Sequence, residues 1–427
     1  MSERTSSLDA AVRHAVIDRF VPWLAGFGTS SYDHQTLYSG PIGGAAKSLY
    51  YRRGKLGAIA VAPLVFCEAF APGVRRVLGP KLRFPIADAH YAMGFGYLYR
   101  VTGQRGHLQH MEAYLDALER TRCPGFDEYC WGYPFDWVTR NGTIARDTPL
   151  ITTTPYVYEA FLLGYEITGR EDSLRIMASI ARHAANDIKA FPVSADAASC
   201  SYTPFDGGGV INAAAYRAFL LTSAARMFDE PAYWTAAQRN LAFVLDTQNP
   251  DGSWQYAVDG VRDFVDHFHT CFVMKALAKI HALTGHERTL SALERGVEYY
   301  LANLLDGDGL PKPFSKAPRL TVYKRELYDC AEAINLGVLL GGLFPRLNAT
   351  LHTVIAAVLR DWVKPDGSFR ARQLMVGWDN VPMHRWAQSQ MFRSLSFWLA
   401  NAADNARNTS DESISTERRR AETILAS

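Results

Sequence analysis

The sequence predicts an all-α chain closed into a single α/α toroid of about six helical hairpins, with inner and outer rings of helices. Three observations predict it. Apolar residues recur at helical spacing along most of the chain, and no convincing set of alternating strands interrupts them. A segment repeats: Arg239-Asn-Leu-Ala-Phe-Val-Leu-Asp-Thr-Gln-Asn-Pro-Asp-Gly-Ser-Trp254 is echoed by 354–369, with the same spacing from apolar anchor to Gly to aromatic. A looser copy begins at Arg295 and another apolar segment near Arg182, so successive starts lie 57, 56 and 59 residues apart, room for two helices and their connections. Finally, the two helices of each unit differ. First members such as 210–228 are rich in Ala and Leu, as crowded inner elements should be, while second members such as 172–189 carry charge on one face.

The elements follow in order. Helices at 8–24 and 44–71 form an N-terminal segment, 1–85, that completes the ring. Hairpins then run 86–102 with 107–121, 150–168 with 172–189, 210–228 with 231–247, 264–284 with 287–304 and 326–343 with 347–363. A last inner helix spans 383–401. Thr102-Gly103, Thr168-Gly169, Thr284-Gly285 and Phe344-Pro345 are helix stops. The toroid therefore covers 1–402, and the polar stretch 403–427 reads as a frayed helix or a disordered tail. Closure into a ring, in preference to an open solenoid, follows from the crowded first helices.

Bulk properties narrow the partners. With 427 residues, 48% of them hydrophobic and 21% charged, the chain can bury a large core. A formal charge of +2 without a basic stripe argues against nucleic acid. No window reaches the roughly 18–20 apolar residues of a membrane span, and the first residues lack the layout of a secretory leader, which predicts a cytoplasmic protein. Six scattered cysteines give no metal-type pair, so neither a metal nor another cofactor is expected.

If every inner helix starts at the same end, that end is a shared mouth where polar and aromatic residues gather. The candidate catalytic groups are His267, His269, Asp266, Tyr328 and Asp136. The candidate binding groups are Tyr133, Trp137, Arg140, Tyr156, Asp206, Asp263, Glu332, His384, Arg385 and Gln388. Plainer roles stand beside these. Asp263 and Asp266 lie where N-caps belong. Asp251-Gly252 and Asp366-Gly367 are turns, and Trp254 and Phe369 pack between repeats. Arg385 and Gln388, one helical turn apart, either grip a polyhydroxyl or anionic substrate or close the ring through a buried salt bridge.

Arg239 to Trp254 resembles the repeat of the squalene and oxidosqualene cyclases, in which a basic residue, an aromatic, an aliphatic, Gln, Gly and Trp recur. Only Asn240 departs, where Gly or Ala is usual. That resemblance implies a terpenoid-cyclase-like toroid, but the Asp-Xaa-Asp-Asp motif of those cyclases is missing and there is room for one domain only. The segment 262–272 resembles the protein prenyltransferase β subunits, yet their Asp and Cys ligands two apart have no match, since Asp329 and Cys330 are adjacent. The wider resemblance is to bacterial toroid proteins encoded with polysaccharide-biosynthesis machinery. Its marks are Trp131-Gly-Tyr-Pro-Phe-Asp-Trp137, Gln248-Asn-Pro-Asp-Gly-Ser-Trp254, Asp266-His-Phe-His-Thr270 and His384-Arg-Trp-Ala-Gln388, spread over residues 85–400.

This resemblance implies a saccharide or glycan precursor as partner, on a fold that hosts uronyl C5-epimerases, polysaccharide lyases and unsaturated-uronyl hydrolases. For a uronic-acid glycan the first step is removal of the C5 proton, which needs a base and a group that neutralises the carboxylate. His267, His269, Tyr328 and Tyr156 are the proton carriers, with Arg140 or Arg385 as neutraliser. A glycoside hydrolase is the rival and needs two carboxyl groups about 5–9.5 Å apart. A non-catalytic glycan-binding scaffold, or a relative of the terpenoid cyclases and prenyltransferases, is the remaining alternative.

Overall fold

The computed structural model describes residues 2–318 and 321–425, with side chains between 7 and 407. The chain opens with α1 (Ser2–Arg13), which passes through a π-helical stretch, His14–Phe20, into α2 (Val21–Phe27). An excursion follows: α3 (Thr36–Ser39), the hairpin of α4 (Pro41–Arg53) and α5 (Lys55–Phe70), and α6 (Arg75–Leu78). Inner and outer helices then alternate: α7 (Pro85–Thr102) and α8 (Arg105–Arg120), α9 (Thr154–Thr168) and α10 (Glu171–Arg182), α11 (Ile211–Phe228) and α12 (Pro231–Asp246), α13 (His267–Thr284) and α14 (Glu287–Asn303), α15 (Leu327–Leu340) and α16 (Leu347–Ala357). Helix α17 (Ser389–Leu425) is the sixth inner helix. Each inner helix packs on the next and α17 packs on α7, so the ring of the all-α toroid is closed.

The two ends of the ring are built differently. At one end α7, α9 and α13 stop on a left-handed glycine, Gly103, Gly169 and Gly285, and a single further residue leads into the outer helix. Glycine takes that conformation without a Cβ penalty, so the chain turns at once. At the other end, returns from outer to next inner helix are long. They carry small antiparallel pairs: β1 (Trp137–Thr139) with β2 (Gly142–Ile144), β3 (Ala190–Pro192) with β4 (Ala198–Cys200), β5 (Val265–Asp266) with β6 (Phe314–Lys316). The three-stranded sheet β7 (Tyr323–Glu326), β8 (Arg372–Leu374) and β9 (Trp378–Asp379) completes this face. The sequence reading expected no strands here; runs of two to four residues are too short for alternation to show.

The sequence repeat has a structural meaning. Gly252 and Gly367 both have left-handed backbone, φ +91° and +89°. A Cβ on Gly252 would run into the Arg295 carbonyl of α14, and one on Gly367 into the Arg19 carbonyl of the π-helical stretch. Each turn thus butts against the backbone of the following outer helix, and for 367 that helix is the chain's first. Phe20 packs on Phe369, Tyr91 and Phe392 from there. Trp254 donates its indole N–H to Val244 O at 2.9 Å, and Trp131 does the same to Leu118 O at 2.9 Å. Asn240, the departure from the repeat, is buried and donates to Ala198 O while accepting from Arg217. We expect Gly252→Ala and Gly367→Ala each to cost at least about 1–3 kcal/mol in urea unfolding, from backbone strain and the clash together.

One expectation changes, and the tail takes one of the two forms expected for it. The helix expected over 44–71 is two helices, broken at Gly54 (φ +49°). The polar tail 403–427 belongs to α17 as far as 425, and residues 426 and 427 lie outside the described residues. Among the described residues no single helix is long and apolar enough to cross a membrane; α5 with 72–78 passes only as a pair bent by 105°.

Candidate active site

The mouth is lined by a collar of aromatic side chains drawn from five inner-helix starts and their loops. Trp386 stacks on Tyr328, with ring centroids 5.6 Å apart and planes 9° apart. Tyr328 meets Phe272, Phe272 meets His269, and His269 meets Tyr256 at 4.6 Å. A second arc runs from Tyr202 to Trp137 and from Trp137 to Tyr133. The Arg385 guanidinium joins the two arcs, 4.7 Å from the Tyr133 ring and 3.8 Å from Trp386. Burial pushes the Tyr328 phenol well above its ordinary value, with Glu332, Tyr156 and Tyr133 adding to the rise. It therefore stays protonated, a donor and not a base. The Tyr256 phenol is pushed up to about 12 for the same first reason, burial.

His269 is the base-like group of this collar. Asp266, at the N-cap of α13, accepts the His269 backbone N–H at 3.1 Å and the ring Nδ1–H at 2.6 Å. One carboxylate thus caps the helix and sets the tautomer, leaving Nε2 as the atom that takes a proton. That Nε2 has no protein partner among the described residues.

Below the collar lies a buried charged layer. Lys275 is ion-paired with Glu332, and its Nζ is 3.3 Å from the Tyr156 hydroxyl, which is 2.6 Å from the Tyr216 hydroxyl. Burial works against the Lys275 charge, but Glu332 prevails and the amine sits above its ordinary value. Lys279, paired with Glu159, is pushed down to about 8 by burial, with Arg393 and Lys275 nearby. Among the described residues, the buried atoms Asn212 Oδ1, Gln390 Oε1 and His90 Nδ1 lack a protein partner.

The other expected site residues are placed as follows. His267 is two positions from His269, and residues two apart on a helix point to opposite sides. Its ring is wholly buried, with Nδ1 3.2 Å from Asp329 and Nε2 3.0 Å from the hydroxyl of Tyr300 on outer helix α14. Although burial opposes it, contact with Cys271, Tyr300 and Asp329 raises this imidazole well above its ordinary value. It packs between Asp329 and Tyr300, away from the collar. Arg385 is held by Asp33 in a bidentate pair, 2.7 and 2.6 Å, so the ring-closing salt bridge prevails over a substrate grip. Gln388 is buried and spends both ends of its amide on Phe369. The two diverge because 384–388 winds as a π turn, with Gln388 N–H bonding Met383 O five residues back.

His384 donates Nε2–H to Gly28 O at 2.9 Å and accepts the Tyr91 hydroxyl at Nδ1, 2.5 Å, so it also serves packing. Asp136 accepts Arg146 N–H and steadies the β1–β2 hairpin. Asp206 accepts three backbone N–H groups, from 202, 203 and 208. Asp263 is an exposed partner of Lys316. Tyr156 and Glu332 lie in the lower layer, Tyr133 and Trp137 in the collar, and Arg140 on the exposed β1–β2 turn with no acidic partner among the described residues.

Lys275, Tyr216, Tyr202, Tyr256 and Asp33 were not among the expected residues. Lys275 and Lys279 had a signal: two lysines four apart in an apolar helix are costly unless paired. Among the described residues no three His, Cys, Asp or Glu side chains gather at metal-ligand spacing.

Buried neutral histidines leave a pH signature. Burial drives His384 and His34 down to about 4 each, His34 also through Arg372 and Arg75. A depressed imidazole contributes stability that is complete above its unfolded value near 6.5 and lost as pH falls toward 4. Each such depression is worth about 3 kcal/mol. Unfolding midpoints are expected to fall over that window, less steeply in His384→Asn, whose side chain does not titrate.

No protein-family model and no curated protein sequence matches this chain. Solved structures do share its fold. Cellobiose 2-epimerase from Bacillus thermoamylovorans B4167 matches with a TM-score of 0.64 at 10% identity, over 92% of this chain and 99% of that one. An unsaturated glucuronyl hydrolase specific for heparin matches at 0.57 and 10% identity, over 76% and 88%. A polysaccharide lyase matches at 0.52 and 11% identity, over 75% and 90%. At such identities what is shared is architecture: the chain is an α/α toroid of the kind on which these enzymes are built.

Proposed function

We propose that the protein is a carbohydrate-active enzyme that removes the C5 proton of a uronyl residue in a glycan precursor, as an epimerase or a lyase. The observation that carries this reading is the His269–Asp266 pair inside the aromatic collar. His269 Nε2 takes the C5 proton, and Asp266 stabilises the imidazolium that forms. Aromatic faces hold sugar rings, and Arg140 at the rim is the cation free to meet the uronate carboxylate. Tyr328, protonated and across Phe272 from His269, donates a proton. Delivered to C5 from the opposite face it gives the epimer; delivered to the departing O4 it gives an unsaturated product. The shared fold with an epimerase, a hydrolase and a lyase supports a carbohydrate substrate.

A hydrolase finds less support. Asp136, Asp206 and Asp263 are held in loop or surface interactions, and Glu332 is neutralised by Lys275. The test is incubation with uronic-acid oligosaccharides in deuterated water, followed by NMR and absorbance. Deuterium at C5 without chain cleavage identifies an epimerase, and an unsaturated uronate a lyase. New reducing ends without either would replace the reading by hydrolysis, and no change of any kind would leave glycan binding alone.

A further inference from the structure

We propose that the α4–α5 hairpin docks this protein on an anionic phospholipid bilayer, lying along the surface without crossing it. The first observation is an apolar face with nothing over it. Leu56, Ile59, Phe66 and Phe70 of α5 are 66%, 71%, 62% and 61% exposed. At 3.6 residues per turn these four fall within about an 80° arc of the helix. The opposite side of α5 is packed tightly: Gly57 and Val61 are buried, and a Cβ on Gly57 would collide with the backbone of Tyr50 in α4. The helix is therefore apolar on both sides, a pattern that belongs to an element covered on both sides. Ile42 and Leu49 of α4, and Val77 and Leu78 of α6, extend the exposed apolar surface. Among the described residues, eight of the seventeen exposed large hydrophobic side chains lie in this one segment, a concentration beyond ordinary scatter.

The second observation is charge. Residues 41–83 hold eight Lys or Arg against a single Glu, a net +7, in a chain whose total is +2. Everything else therefore nets −5. Glu68, the one acid, is taken up by Arg372 and the Tyr38 hydroxyl. Arg52, Arg53 and Lys55 at the hairpin tip, and Arg76 on α6, are exposed and in no ion pair among the described residues. An apolar face rimmed by free cations matches the interface of a membrane containing anionic lipid. A second copy of the chain fits poorly, since it would set +7 against +7.

Length decides between lying and spanning. The 16 residues of α5 extend about 24 Å, short of the roughly 30 Å hydrocarbon core, and Pro63 and the 105° bend interrupt any longer run. Helix α4 also packs on β1, which carries Trp137 of the collar, so docking holds the mouth beside the lipid headgroups. The inference does not depend on which reaction the mouth performs.

The test is flotation of the full-length protein with vesicles of phosphatidylcholine alone and of phosphatidylcholine with 30% phosphatidylglycerol (about that fraction suffices to charge the surface). Expected is binding to the anionic vesicles only, weakened at least tenfold by high salt. Ile59→Ser/Phe66→Ser/Phe70→Ser and Arg52→Glu/Arg53→Glu/Lys55→Glu should each lose at least tenfold. Their thermal unfolding should match the parent's, because every altered side chain is exposed. The proposal is overturned by no flotation at low salt, by equal flotation with neutral vesicles, or by triple variants that fold and still float. A dimer in ultracentrifugation that the Ser triple variant abolishes, without vesicle binding, would assign the face to a second copy instead.

Discussion

His269→Asn is expected to lower the rate of C5 proton exchange by about 10²–10⁴-fold while leaving the fold intact, the range a general base supplies. The backbone N–H of residue 269 still reaches the Asp266 cap, so denaturant midpoints should hardly move. Asp266→Asn should also slow exchange, because an amide does not fix the tautomer that exposes Nε2. His267→Asn is the control that separates neighbours. It leaves buried Asp329 without its partner, a loss of about 1–3 kcal/mol in stability, yet the folded fraction should still turn over. Deuterium incorporation per folded enzyme reads the difference. Full exchange by a folded His269→Asn protein would end its assignment as the base.

Asp33→Ala is expected to be among the most destabilising single changes, at about 3–5 kcal/mol. Both partners of the Asp33–Arg385 pair are buried, and burial alone would push the Asp33 carboxyl up, yet Arg385 holds it below the ordinary range. Taking Asp33 away strands a guanidinium that also packs against Tyr133, Phe135 and Trp386. Urea unfolding measures the loss. Asp33→Leu with Arg385→Met should recover most of it, since replacing both charges by apolar groups removes the desolvation cost. A drop below about 1 kcal/mol, the level of an exposed pair, would show that Arg385 finds another partner.

The ring itself was legible in the sequence because its causes are local. Helical spacing, Gly103, Gly169 and Gly285 at helix ends and the repeated turn through Gly252 and Gly367 each act within a few residues. The mouth was legible for the same reason: helices that alternate in direction bring every inner start to one end. Finer features were not. The strands β5 and β9 are two residues long, and the split of 44–71 turns on one left-handed glycine.

The closed ring of hairpins, and the end of it that carries polar and aromatic residues, follow from local patterns in the sequence, whereas the choice of Asp266 over Asp263 as the cap of α13 came from the fold. Which of those polar and aromatic residues share a space depends on how the ring closes. His267 and His269 differ by two positions, and that rotation sends one toward Tyr300 and the other into the collar. Arg385 meets Asp33 across 352 residues of chain, and Lys275 meets Tyr156 across 119. Composition and periodicity report how one segment is buried. Which charge neutralises which is set by closure of the ring, and no local pattern encodes that partner.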